Sequence, residues 1–141
     1  STLMNFGGIS LAAVAGTITY YVFGAIGGSF FSNVYRPYEG VFRPRAAILG
    51  FLPFGVAGTL VAMFIAAAIY AWGYRRGRIL SGLQFGFLMG LFVIFGCVVH
   101  EYVITNVGLT VEAVEAVGEL VGWTLAGAAI GLIYRPLQKT T

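Results

Sequence analysis

Apolar residues form four long runs along the chain, separated by short segments that contain most of the charged residues. Each run is continuously apolar, without the in–out alternation of barrel strands. Each can supply the ~20 residues that an α-helix needs to cross a bilayer core of roughly 30 Å. Because lipid offers backbone groups no hydrogen-bond partner, a spanning segment of this kind must be helical. The pattern therefore predicts four transmembrane helices in two hairpins, at residues 9–31, 46–72, 79–99 and 113–134.

Composition favours the same class of protein. Of the 141 residues, 59% are hydrophobic and 9% are charged, whereas a soluble domain has about 25% charged residues. We expect one all-α domain, a polytopic four-helix bundle embedded in a lipid bilayer. The first run is long and no Lys or Arg precedes it, so we expect it to stay as a span rather than act as a secretory signal. The single cysteine, Cys97, excludes an internal disulfide.

The charged residues orient the chain. One side has three cations and all five glutamates, while the other side has five cations and no acid. Because an excess of Lys and Arg marks the cytoplasmic face, we expect both termini in the cytoplasm. The glutamate-rich side then lies outside, in the bacterial inner membrane. The five cations on the side of the termini are Arg75, Arg76, Arg78, Arg135 and Lys139.

The first connection, residues 32–45, is the longest irregular segment that the pattern predicts. Pro37 and Pro44 interrupt helical geometry and restrict the residues before them. Tyr35 and Tyr38 alternate with arginines, a composition typical of the headgroup region. We expect this segment to lie flat on the outer surface as a lid, and we expect no nucleic-acid partner.

Glycine recurs every four residues in the third run, at Gly82, Gly86 and Gly90. In a membrane, small residues mark the surfaces through which helices pack. At about 100° per residue, Val93, Cys97 and His100 continue this stripe. The third run therefore predicts a close helix contact that ends at the only histidine.

The fourth run places acids on a face of small residues. Gly118 and Gly122 share this predicted packing face with Glu115 and Glu119. A carboxylate inside a span is disfavoured unless it is paired or protonated. We therefore expect Glu119 to point into the bundle and to pair with His100 of the neighbouring helix. Four of the five glutamates gather in this part of the chain: Glu101, Glu112, Glu115 and Glu119.

Several interpretations of this acidic region stay open from sequence. One is a structural network that fixes the lid and the helix register, with cations from the first connection. A second is a site that handles protons or cations. A third is a metal site made by His100, Glu101, Glu115 and Glu119, and a fourth is pigment or haem ligation by His100. One histidine without paired cysteines makes a poor transition-metal site, so we expect no cofactor. The expected pairing cations are Arg36, Arg43 and Arg45.

Catalytic patterns are missing from the sequence. It contains no GxSxG, no HExxH, no phosphate loop and no dinucleotide fingerprint, so we do not expect an enzyme. The abundance of small residues favours an accessory or structural subunit of a larger membrane complex, or a homo-oligomer. The alternative is a small proton- or cation-coupled transporter or channel that uses Glu119 and His100 at its outer mouth.

Two segments carry a resemblance to a known kind of protein. With "GLQFGFLMGLF" at 82–92 and "AGAAIGLIYRP" at 126–136, the second half of the chain resembles small four-span integral membrane proteins of bacteria. In those proteins the third span opens with Gly-x-x-Phe-Gly, and the fourth closes with a Gly-x-Ile-Tyr-like ending before a basic tail. The resemblance implies a four-helix membrane fold and no defined activity.

Overall fold

A computed structural model of the protein describes residues 3–74 and 78–138. It contains four long helices, each long and apolar enough to cross a membrane. Within the described residues there is no strand beyond two isolated β-bridges, and the predicted all-α fold with four candidate spans is confirmed. The helices are α1 at Phe6–Tyr35, α2 at Arg45–Trp72, α3 at Ile79–Ile104 and α4 at Leu109–Ile133.

The first and last residues that the structure describes lie at one end of the molecule, which we call the terminal end. Leu3 and Leu137 exchange backbone hydrogen bonds of 3.3 and 3.2 Å. The Asn5 side chain caps α1 by accepting from the Gly8 N–H at 3.0 Å, and its amide donates to the Arg135 carbonyl at 2.9 Å. Leu3 and Leu137 therefore share a side, while the cytoplasmic location of both termini stays a prediction. Three of the cations predicted for that side lie outside the described residues: Arg75, Arg76 and Lys139.

The helices pack in a fixed order. α4 lies between α1 and α3, and α2 packs mainly on α1. At the terminal end, however, Tyr70 of α2 meets Phe85 of α3 and Tyr134 after α4, and Tyr74 joins them. The ring centroids of these edge-to-face pairs are 5.5–6.2 Å apart, a favoured aromatic geometry. This cluster closes the bundle at the terminal end, and Tyr134 is fully buried there.

The glycine stripe of α3 lies against α4. Gly82, Gly86 and Gly90 are all buried. A methyl group on Gly86 would overlap the carbonyl oxygen of Trp123, and one on Gly127 would lie 2.5 Å from the Gly86 Cα. The two backbones are thus in direct contact, which small residues permit in a membrane helix pair.

The two glycines predicted to form the packing face of α4 differ from each other. Gly122 is buried, and a methyl group there would lie 3.2–3.3 Å from the rings of Tyr20 and Phe23 of α1. A methyl group on Gly118 would meet no atom within 4 Å, so its assignment to helix packing is corrected. The α4 residues that contact α3 lie further along the helix, because α3 and α4 approach most closely near Gly127.

The opposite end, which we call the acidic end, contains the α1–α2 connection and the α3–α4 turn. Here α1 runs on to Tyr35 and continues into a 3₁₀ turn at Arg36–Tyr38, so the irregular segment is shorter than the sequence pattern predicts. The Tyr38 hydroxyl accepts a hydrogen bond of 2.9 Å from the backbone N–H of Gly108. The connection is therefore attached to the α3–α4 turn.

Candidate functional site

Three carboxylates meet at the acidic end. Glu101 lies in the last turns of α3, while Glu112 and Glu115 lie on α4, three residues apart and hence on one face. One carboxylate oxygen from each of the three residues lies within 4.8 Å of the other two. We call these three residues the carboxylate cluster.

A π-helical turn in α3 decides which residues reach this cluster. The turn spans Ile94–Val98, and its wider i→i+5 winding adds one residue to the turn. Residues after it are therefore displaced by about 100° from a regular helix. Val98 is buried as a result, whereas Cys97 and His100 are exposed. The prediction that Cys97 and His100 continue the glycine stripe is wrong, and Glu101 takes the position that faces α4.

Glu119 has a different partner from the predicted one. Its Oε1 accepts a hydrogen bond of 2.7 Å from the hydroxyl of Tyr20 in α1. The Tyr20 ring is in turn held between Tyr21 and Trp123, with centroid distances of 6.1 Å to each. The predicted Glu119–His100 pair is thus corrected: α4 presents Glu119 to α1, and the π turn carries His100 away to an exposed position.

The predicted pairing cations do not neutralise the acids. In the part of the chain that the structure describes, neither Arg36, Arg43 nor Arg45 forms an ion pair with a glutamate. All three are exposed, and the guanidinium of Arg43 lies 3.7 Å from the ring centroid of Phe51, a favourable cation–π contact. The charges that act on Glu115 are negative, and they come from Glu101, Glu112 and Glu119.

Glu112 is the most enclosed acid of the cluster. It is 4% exposed, and its Oε2 is buried without a hydrogen-bond partner. Removing an ion from water costs several kcal/mol in a protein interior. The Thr105 side chain lies beside the carboxyl group, and Glu112 is in the first turn of α4, where the helix dipole contributes about 0.3–1 kcal/mol. Oε2 of Glu112 nevertheless stays without a donor.

The sequence pattern does not assign Glu112 to the site, yet the structure places it at the centre. A groove of about 190 Å³ between α3 and α4 borders it. The signal that could have identified Glu112 is its position three residues before Glu115, together with an α4 that begins at Leu109 rather than after Glu112. The apolar groove walls include Ile94, Val98, Tyr102 and Ala116.

The carboxylate cluster can attract cations. Three carboxylates within 4.8 Å of one another offer oxygen acceptors and carry negative charge, so they attract cations. His100 is exposed and is not a member of this group, and neither is Glu119. Of the four residues in the metal interpretation, Glu101 and Glu115 therefore lie together, and Glu112 joins them in place of His100 and Glu119.

Comparisons with protein-family models, curated proteins and solved structures give no match for this chain. The resemblance to small four-span bacterial membrane proteins accordingly stays a prediction.

Proposed function

We propose that the protein is a non-enzymatic integral membrane subunit whose α2 packs against a transmembrane helix of another subunit or of a second copy. Gly50 and Gly58 of α2 carry this proposal. A methyl group on either would meet no atom within 4 Å. They are separated by about 80° around the helix, so they lie on the same side. Small residues on a helix surface are the usual mark of a helix–helix contact in membranes.

The interior of the same molecule supports this interpretation. Where α3 meets α4, methyl groups on Gly82, Gly86 or Gly90 would lie within about 3 Å of α4 backbone atoms. The most apolar window of α2 is 6% buried, compared with 33% for α4. α2 thus carries glycines like those of the α3–α4 contact, and the rest of the protein leaves its most apolar window almost uncovered.

We propose the bacterial inner membrane as the location, with the terminal end in the cytoplasm. Five cations in the sequence on that side, against three on the other, support this orientation. The lack of recognisable catalytic motifs in the sequence supports a non-enzymatic role.

The transporter alternative loses its main support. It requires Glu119 and His100 to act together, but His100 is exposed and Glu119 is bonded to Tyr20. That bond joins α4 to α1, which favours a structural role for Glu119. The groove beside Glu112 and a second cavity of about 350 Å³ at the terminal end, near Tyr70, are lined by other residues.

Photo-cross-linking in native membranes tests the proposed packing. A photoreactive amino acid replaces Val61, which is 60% exposed and lies three residues after Gly58 on the same face. The matched control position is Phe92 of α3, which is 71% exposed and lies opposite the glycine stripe. We expect Val61 to give a discrete polypeptide adduct and Phe92 to give lipid adducts.

A bulky substitution on the Gly58 face of α2 tests whether the polypeptide adduct depends on that face. Gly58→Leu should remove the polypeptide adduct, because its bulk keeps a second helix at a distance. Gly96→Leu, on an equally open position of α3, should leave the adduct unchanged. Lipid adducts alone from Val61, or an adduct that survives Gly58→Leu, would contradict the proposal.

A further inference from the structure

The carboxylate cluster joins two helices at a single point. Glu101 belongs to the end of α3, and Glu112 and Glu115 belong to the start of α4. Their oxygens lie within 4.8 Å of one another, although like charges at this distance repel. A bound partner that attracts all three carboxylates would offset this repulsion.

The unpartnered oxygen of Glu112 indicates which kind of partner the cluster binds. Glu112 is 4% exposed, so water reaches it poorly, and its Oε2 has no donor. Among the described residues, neither His100 nor an arginine of the α1–α2 connection forms an ion pair with it. The helix dipole and the Thr105 side chain supply a small part of the stabilisation that a buried carboxylate requires. The remainder comes from protonation or from a cation that the chain itself does not provide, and three acceptor oxygens within 4.8 Å of one another favour the cation.

The donor set selects the kind of cation. The cluster contains carboxylate oxygens without imidazole or thiolate, and hard divalent cations such as Ca²⁺, Mg²⁺ and Mn²⁺ prefer oxygen ligands. Zn²⁺ and Cu²⁺ favour nitrogen and sulfur donors. A divalent cation also offsets more of the negative charge of three carboxylates than a monovalent cation does.

The spacing of the oxygens favours the larger of these ions. Ca²⁺ binds oxygens at about 2.3–2.6 Å in a flexible geometry, so three ligands spaced evenly around it lie up to about 4.5 Å apart. Mg²⁺ requires about 2.0–2.1 Å and near-octahedral geometry, which limits its ligands to about 4.2 Å. The three oxygens lie within 4.8 Å of one another, a bound that the flexible shell of Ca²⁺ meets with less contraction than the octahedral shell of Mg²⁺.

We propose that Glu101, Glu112 and Glu115 form a binding site for a hard divalent cation, with Ca²⁺ preferred over Mg²⁺. The π turn at Ile94–Val98 makes the site possible, because it rotates Glu101 towards α4. The bound cation bridges the end of α3 to the first turns of α4. It thereby fixes the α3–α4 turn, where the Gly108 N–H also donates to the Tyr38 hydroxyl.

Isothermal titration of the whole chain in phosphatidylcholine nanodiscs tests the site, since this lipid adds no net anionic charge. We expect CaCl₂ to give saturable binding of one ion per chain, and MgCl₂ to bind more weakly. Ca²⁺ should also raise the unfolding temperature, because a ligand that binds the folded state stabilises it. Absence of saturable Ca²⁺ binding would overturn the proposal, and equal or tighter binding of Mg²⁺ would overturn the stated preference.

Two variants locate the binding. Glu112→Gln keeps the shape of the side chain and removes its charge, so we expect the Ca²⁺ affinity to fall roughly tenfold or more. Glu39→Gln removes an exposed acid at the same end but outside the cluster, and its affinity should match the wild type. Glu101→Gln, at an exposed residue, gives the same test if the Glu112 variant does not fold. Wild-type affinity in the cluster variants, or an equal loss in Glu39→Gln, would refute the site.

Discussion

The substitution Gly86→Ala tests the close contact between α3 and α4. The added methyl group would overlap the Trp123 carbonyl oxygen. It would also lie 2.9 Å from the Thr124 Cα and 3.0 Å from the Gly127 Cα. All of these are backbone atoms of α4, so no change of side-chain rotamer relieves the overlap. The two helices must move apart instead.

The energetic cost can be worked from these distances. Carbon atoms in contact are normally 3.5–4.0 Å apart, so the Thr124 backbone must retreat by at least about 0.6 Å. A gap of about 0.5–1 Å forfeits a quarter to a half of each contact energy, and the same movement weakens the contacts of Gly82 and Gly90. Overpacking costs about 1–3 kcal/mol, while alanine favours the helix by about 1 kcal/mol over glycine. Because the overlapping atoms are α4 backbone, the upper part of that overpacking range applies, about 2–3 kcal/mol, and we expect Gly86→Ala to lower the free energy of unfolding by about 1–2 kcal/mol.

Unfolding in mixed micelles, followed by circular dichroism as a denaturing detergent is added, measures this free energy. The matched control is Gly24→Ala in α1, where a methyl group meets no atom within 4 Å. The control should be neutral or stabilising by up to about 1 kcal/mol. The double variant Gly86→Ala/Gly127→Ala should lose less than the sum of the single losses, because one separation relieves both overlaps. Wild-type stability of Gly86→Ala, or an equal loss in Gly24→Ala, would refute the reasoning.

Two further substitutions test the hydrogen bonds that connect the helices. Tyr20→Phe leaves the Glu119 carboxylate without its donor and should cost about 1–3 kcal/mol, whereas Glu119→Gln keeps an acceptor and should cost less in the same unfolding assay. An equal cost would contradict the bond's assigned direction. Tyr38→Phe removes the acceptor for the Gly108 N–H, so hydrogen exchange of that amide should accelerate while exchange at the terminal end stays the same. Unchanged exchange at Gly108 would show that the bond does not hold the turn.

The number and nature of the helices could be predicted because they depend on the length of apolar runs. The four runs are long enough to cross a membrane, and short charged segments separate them. The residues at which the helices begin and end were harder to predict from the sequence. Tyr35 continues α1 although Pro37 follows, since proline is accepted in the 3₁₀ turn that comes next. At the other end, α4 begins at Leu109 and includes Glu112, an acid that hydropathy alone excludes from a span.

The composition of the site could be predicted in part. Charge distribution identifies the acidic end, and Glu101 and Glu115 are common to the predicted and observed clusters. The exclusion of His100 could not be foreseen, because it follows from a single π turn. Ile94 and Val98 carry no sequence signal that separates π from α winding. One additional residue in a turn nevertheless changes which side chains face α4 by about 100°.

The two ends of the bundle are held by different kinds of interaction. The terminal end is closed by neutral contacts: the Leu3–Leu137 backbone pairing, the Asn5 cap and the aromatic cluster around Tyr134. Such contacts do not depend on dissolved ions. At the acidic end, the Tyr38–Gly108 bond acts beside three carboxylates that repel one another. The position of the α3–α4 turn therefore depends on how that charge is balanced. A divalent cation is consequently expected to change the acidic end and to leave the terminal end as it is.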